Sequence, residues 1–279
     1  MPFVASKEQV EAFQAFSSQP GFSQEVISVD FVTTPEFVRS VLPPGLEPTS
    51  QPIGSVAIST WESKLCGEFE CTMVSLQAVH DGVEGKYILT LLVSGDMPVT
   101  WGREVWGEIK KTGVSQLYRS GNARFAYGER KGVRLVEMSA EFGEDMPPNV
   151  EESIGYEIKA YPSSTGIGLH DDPRLVTLKI VDHNVKRATG KGTLVLRGTQ
   201  SDPLHEVPLL SIGEFKYISG TTDYRVIDEK PLNIGDRYLP YLIGRHYDDL
   251  RVFNIGASFD RSAQLEDEKF SVQRLTTSL

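Results

Sequence analysis

From about residue 53 almost to residue 255 the chain runs through one short segment after another rich in Val, Ile, Leu and aromatic residues, separated by turn residues. This pattern constrains the fold most, because a doubly wound α/β architecture needs a helical segment between successive strands. Strands are expected near 53–62, 69–80, 86–94, 122–128, 133–141, 154–161, 174–182, 191–197 and 207–218. Asp81-Gly82 and Glu84-Gly85 lie between the second and third, and Gly190-Lys191-Gly192 precedes another, so antiparallel hairpins and meanders are the natural connections. Upstream, EVISVDFV reads as a strand between two short helices. The first helix has Ser6 and Gln9 in capping-box spacing and Val10, Phe13 and Phe16 three apart. The second has Thr34 as N-cap, Pro35 in the first turn, Phe37, Val38, Val41 and Leu42 as its apolar face, and Pro43-Pro44-Gly45 as its stop. With no repeat, low-complexity tract or Ser/Gly linker, the expectation is one mainly β domain over 1–256 and a charged, partly disordered tail over 257–279.

Charge and cysteine content narrow the function. With 28 Lys+Arg against 38 Asp+Glu, a net charge of −10, there is no basic field for phosphate backbones or anionic lipid, so neither nucleic acid nor a membrane is an expected partner. Apolar stretches such as Tyr87 to Val93 fall well short of the roughly 18 residues of a spanning helix, and MPFVASKEQV lacks a signal pattern. A cytoplasmic protein is expected. Cys66 and Cys71 have an odd separation that, on one strand, points them to opposite faces and disfavours a local disulfide. The histidines His80, His170, His183, His205 and His246 are scattered without metal-ligand spacing, and no phosphate-binding glycine loop or nucleophile elbow is present. No metal and no cofactor are expected.

The segment with chemistry in it is Gly102-Arg103-Glu104-Val105-Trp106-Gly107-Glu108-Ile109-Lys110-Lys111-Thr112-Gly113. An exposed lysine with an ordinary pKa near 10.4 is a free amine only about once in two thousand at pH 7. Adjacent ammonium groups about 6 Å apart at an effective dielectric near 20 repel by about 3 kcal/mol, or roughly two pKa units. That falls short of what a nucleophile needs at neutral pH. If the pair is extended, its side chains point to opposite faces and the repulsion weakens, so burial must supply much of the activation.

GREVWGEIKK resembles the active-site segment of the acetoacetate decarboxylase family, whose usual form is close to G-R-E-x-x-G-aromatic-P-K-K. FVTTPEFVRSVLPPGLEPT, DPRLVTLKI and GTLVLRGTQSDPLHEVPLLSI resemble further stretches of that family, so the likeness covers roughly residues 25 to 220. It implies a closed antiparallel β-barrel with a few short helices, assembled as a homo-oligomer. It further implies a Schiff-base lyase acting on a β-keto acid or related carbonyl compound, with Lys110 as the imine-forming nucleophile and Lys111 as its activating neighbour. Arg103 and Glu104 match as well, either as pocket residues or as an ion pair that shapes the loop.

Other positions depart from the family pattern. The arginine expected in the early strand, which would receive a substrate carboxylate, is replaced by Val32, and a pocket glutamate falls on Cys71, with Glu70 on the other strand face. Glu108-Ile109 replaces the aromatic-Pro pair, which puts a carboxylate two residues from Lys110. Buried there, Glu108 would favour ammonium over free amine; at the surface it would mean nothing. Phe31 and Trp106 are expected to hold the apolar body of a substrate, with Glu62 or Glu108 as proton-transfer groups. Decarboxylation is the first reading. Aldol, retro-aldol or dehydration chemistry on a larger carbonyl substrate is the second, and a non-catalytic binding barrel is the rival.

Overall fold

The computed structural model describes residues 3–199, 201–246 and 272–277. In chain order the helices are α1 (Lys7–Ser18), α2 (Pro35–Val41), α3 (Asp96–Trp101) and α4 (Leu239–His246). The strands are β1 (Gly21–Val32), β2 (Glu47–Pro48), β3 (Ile53–Ser63), β4 (Gly67–His80), β5 (Val83–Val93), β6 (Lys110–Thr112), β7 (Val114–Ser120), β8 (Ala123–Arg130), β9 (Val133–Phe142), β10 (Asn149–Lys159), β11 (Arg174–Arg197), β12 (Ser211–Pro231) and β13 (Val272–Thr276).

Seven strands in the order β10, β5, β4, β3, β1, β12, β11 form a barrel, closed because β10 also pairs along its length with β11. All neighbours are antiparallel except β5 and β10, which meet in parallel at Lys86/Gly155 and Tyr87/Tyr156, so the barrel is mixed. An arm of β9, β8 and β7 extends from the second half of β11, whose first half belongs to the barrel.

Both expected caps form. The Gln9 amide donates to Ser6 Oγ at 3.3 Å and the Ser6 amide to Gln9 Oε1 at 2.9 Å, while the Phe37 amide donates to Thr34 Oγ1 at 3.2 Å. The strands expected at 174–182 and 191–197 are one continuous element, not two joined by a turn. A bulge between Asn184 and Lys186 bends it, and at Gly190 a side chain would meet the Glu141 carbonyl oxygen at 2.2 Å, so this glycine serves close packing against β9. Of the tail expected to be partly disordered, β13 pairs with β11, and 257–271 and 278–279 lie outside the described residues.

The main apolar core lies outside the barrel, between its wall and the β8–β9 layer. Ile27, Val29 and Phe31 of β1 and Val56 and Ile58 of β3 pack there with Leu135, Val136 and Met138. The alternate residues of β1, Phe22, Gln24, Val26, Ser28 and Asp30, face the barrel interior. That interior is hollow.

Between β5 and β6 the chain crosses one end of the barrel through α3 and a single π-helical turn, Gly102–Trp106. The amides of Gly107 and Glu108 both donate to the Gly102 carbonyl at 3.1 Å, which ends the turn and releases the chain into β6. Gly107 makes the exit possible: its φ is +82°, and a side chain there would meet the Lys159 Cα at 2.4 Å. Gly107→Ala should lower the urea midpoint by the equivalent of at least about 1–3 kcal/mol. An unchanged midpoint would contradict this contact with β10.

Candidate active site

β6 is three residues long and runs parallel to β5, with Lys110 level with Leu91 and Lys111 level with Leu92. Alternation sends the two lysines to opposite faces. Lys110 joins Leu91 on the wall of a cavity of about 240 Å³ inside the barrel. Glu108, two residues back in extended chain, turns the same way, and its Oε2 lies 2.7 Å from Lys110 Nζ, with both side chains about nine-tenths buried. The contact is an ion pair by distance without hydrogen-bond alignment, so the carboxylate sits against the amine without being locked to it. Gly102 leaves room for the pair: a side chain there would meet Glu108 Oε2 at 2.1 Å and Lys110 Nζ at 2.7 Å.

Lys111 faces away from this cavity. Its ammonium donates to Asp202 Oδ1 at 3.1 Å and to the Ser201 carbonyl at 3.0 Å, and Arg130 holds the other Asp202 oxygen at 2.7 Å. The side-by-side arrangement that the resemblance implies for the two ammonium groups is therefore absent, for the reason that an extended backbone separates them.

Around Lys110 the wall is aromatic. Trp106 lies edge-on to Trp101 at 4.5 Å between centroids and 5.5 Å from Tyr224, while Phe22 lies 5.6 Å from both Trp61 and Tyr224. Trp101 Nε1 donates to Ser17 Oγ at 3.1 Å, tying the crossing segment to α1. Farther along, the lining turns polar: Gln24 Nε2 donates to Asp182 Oδ1 at 2.8 Å and Lys216 to Asp30 Oδ2 at 2.6 Å, with Lys86 and Glu157 also on the wall. Among the described residues no arginine lines the cavity.

Of the residues singled out in the sequence, Lys110, Glu108, Trp106 and Cys71 meet at the cavity. Glu108 is buried beside Lys110, which settles the alternative left open for it. Phe31 does not line the cavity; it faces the outer core, because the inward set on β1 is Phe22 to Asp30. Glu62 is exposed near the end of β3. Arg103 and Glu104 lie in the π turn with their side chains off the cavity wall, while the Tyr161 hydroxyl donates to the Glu104 carbonyl at 2.6 Å. Val32 is 37% exposed at the end of β1, and Glu70 lies on the other face of β4, accepting from the Ser94 hydroxyl at 2.5 Å. Tyr224, Trp61, Trp101, Gln24 and Asp182 were missed in the sequence. Once Lys110 is placed, the alternation along each barrel strand would have found the strand residues among them.

Both cysteines are free and line the cavity, because Cys66 lies in the turn before β4 rather than on the strand. Burial pushes both thiols above their ordinary range, with the Lys110 charge only partly offsetting it. The Cys71 Sγ also lies 3.0 Å from Ser59 Oγ and accepts from Trp61 Nε1 at 3.2 Å.

The barrel is thus closed and hollow, with an amine and a carboxylate in contact inside it. The family model described as acetoacetate decarboxylase matches residues 1–230, and the chain belongs to that family. Acetoacetate decarboxylase 3 of Mesorhizobium japonicum is 27% identical over 100 residues, 36% of this chain and 39% of that protein, so the match spans under half of its length. Acetoacetate decarboxylase of Burkholderia vietnamiensis is 24% identical over 208 residues, 70% of this chain and 81% of that protein. Among solved structures, acetoacetate decarboxylase from Legionella pneumophila superposes with a TM-score of 0.67 at 17% identity, over 77% of this chain and 88% of that one. The enduracididine biosynthesis enzyme MppR, complexed with the condensation product of pyruvate and imidazole 4-carboxaldehyde, gives 0.63 at 22% identity, over 78% and 89%. These structures establish the fold. Among the described residues no helix is long and apolar enough to cross a membrane, and no group of three or more His, Cys, Asp and Glu is placed to hold a metal ion.

A raised thiol pKa means less thiolate at a given pH. At pH 8 iodoacetamide should label half-buried Cys66 slowly and Cys71, which is 7% exposed, more slowly still, with both reacting readily in denaturant. Rapid native labelling of Cys71 would contradict the enclosed cavity.

Proposed function

We propose that this protein is a Schiff-base carbon–carbon lyase of the acetoacetate decarboxylase type, with Lys110 as the nucleophile. The observation that carries this reading is the placement of Lys110 Nζ on the wall of the barrel cavity, 2.7 Å from the Glu108 carboxylate; the contact favours the ammonium at rest, and the same carboxylate is the acceptor within reach when the amine gives up its proton. A ketone or aldehyde carbonyl reaching the amine forms an imine. Protonated, the imine draws the electrons of an adjacent bond toward nitrogen, and loss of carbon dioxide or of an aldehyde leaves an enamine. Glu108 serves as the base that frees the amine and returns a proton later. Lys111 acts at a distance: its clamp to Asp202 fixes β6 and so the direction of Lys110.

The wall favours a second reading within the same chemistry. With no arginine on the wall among the described residues and Val32 in place of the expected anchor, a small β-keto acid lacks there the forked contact to its carboxylate that is worth about 1.5–3 kcal/mol. Aldol or dehydration chemistry on a larger, less anionic carbonyl compound fits the aromatic lining better. The complex of MppR with a pyruvate condensation product supports this reading by its kinship in fold.

Borohydride reduction in the presence of acetoacetate, pyruvate, phenylpyruvate and aromatic aldehydes should give a protein mass increased by one reduced carbonyl equivalent. Lys110→Ala should abolish the adduct, and adduct formation that survives in it would move the nucleophile elsewhere. Glu108→Gln should slow trapping by about 10²–10⁴-fold. Gly102→Ala should also impair trapping, because the new methyl group must displace both members of the ion pair.

A further inference from the structure

Tyr224 stands on β12 and contributes its ring to the aromatic end of the cavity, beside Trp106 and Phe22. Among the described residues its hydroxyl makes no hydrogen bond, and Asp182, Glu108, Cys71 and Glu157 line the same cavity. The residue is half-buried, and because its ring lies on the cavity wall, a molecule in the cavity can supply the partner its hydroxyl lacks. The arrangement leaves one hydroxyl open to the same space that receives the Lys110 amine.

We propose that Tyr224 is a further catalytic residue of this site, donating its hydroxyl proton to the carbonyl oxygen of the substrate as the Lys110 imine forms. This inference rests on the reading of Lys110 as the nucleophile. Burial first, and then the nearby carboxylates of Asp182 and Glu108, hold the phenol well above its ordinary value. The phenol is protonated and a weaker acid than an ordinary tyrosine, so it acts first as a hydrogen-bond donor and gives up its proton only as negative charge builds on the carbonyl oxygen.

The protons balance without an outside acid. Glu108 takes one proton from the Lys110 ammonium, and the freed nitrogen pair attacks the carbonyl carbon as the C=O π pair moves onto oxygen. That oxygen takes the Tyr224 proton, and the phenolate is restored by the proton held on Glu108. A second proton, from the nitrogen of the carbinolamine, reaches the hydroxyl by the same Glu108–Tyr224 route. The C–O bond then breaks with release of water. In sum, ammonium and carbonyl become protonated imine and water. A donor aimed at oxygen in a water-poor site lowers the barrier most where negative charge develops.

The test measures the borohydride trapping rate as a function of carbonyl concentration, with whichever of pyruvate, acetoacetate and phenylpyruvate traps fastest in the wild type. Tyr224→Phe keeps the ring contacts and removes the hydroxyl. It should lower the maximal trapping rate by about 10- to 100-fold while the half-saturating concentration stays within about threefold and the near-ultraviolet circular dichroism is unchanged. 3-Fluorotyrosine at position 224 keeps a hydroxyl that is a stronger acid and should trap at least as fast as wild type. A wild-type rate in Tyr224→Phe, or an equal loss with fluorotyrosine, would overturn the assignment and leave Lys110 standing. A wild type that traps none of the probes would overturn the Lys110 reading and this one with it.

Discussion

The structure depends on the double pairing of β10. One edge of this strand runs antiparallel to β11, and the other meets β5 in parallel for two residues, which converts an open sheet into a barrel. Closure gives the sheet two different insides. One is the packed layer between the barrel wall and β8–β9, where the large aliphatic side chains go; the other is the hollow of the barrel. An ion pair such as Lys110–Glu108 costs several kcal/mol per ion to remove from water, so a sheet must be stabilised elsewhere to hold it. Here the stabilising core and the cavity that holds the pair sit on opposite faces of the same strands, and the two demands do not compete for the same residues.

Much of the local structure was legible. Ser6 and Gln9, and Thr34 with Pro35, mark helix starts because a capping side chain and the amides it satisfies are only three residues apart. The opposite orientation of Lys110 and Lys111 follows from extended backbone, as does the shared orientation of Glu108 and Lys110. What alternation cannot give is which face is the hollow one. In β1 both Phe22 and Phe31 are buried aromatics, on opposite sides of the sheet, and only the partner strands decide that Phe22 sees the cavity. Tyr224 was hidden for a related reason: it is far from the lysine motif in sequence and reaches it only through the β1–β12 and β11–β12 pairings.

The proposed chemistry differs from activation by an adjacent ammonium. Lys111 is committed to Asp202 on the outer face, and what touches Lys110 is a carboxylate. In that proposal, a base in contact with an ammonium offers a direct route for its proton. The gradient from aromatic residues near Lys110 to Gln24, Asp182, Asp30 and Lys216 farther along fits a substrate with an apolar reactive end and a polar remote end.

The measurement closest to the central claim is peptide-resolved mass spectrometry of the borohydride-reduced protein after incubation with a reactive carbonyl compound. The account predicts a single reduced adduct on the peptide containing Lys110, with Lys111 in the same peptide unmodified. Adducts spread over exposed lysines such as Lys7 and Lys64, with Lys110 untouched, would contradict it.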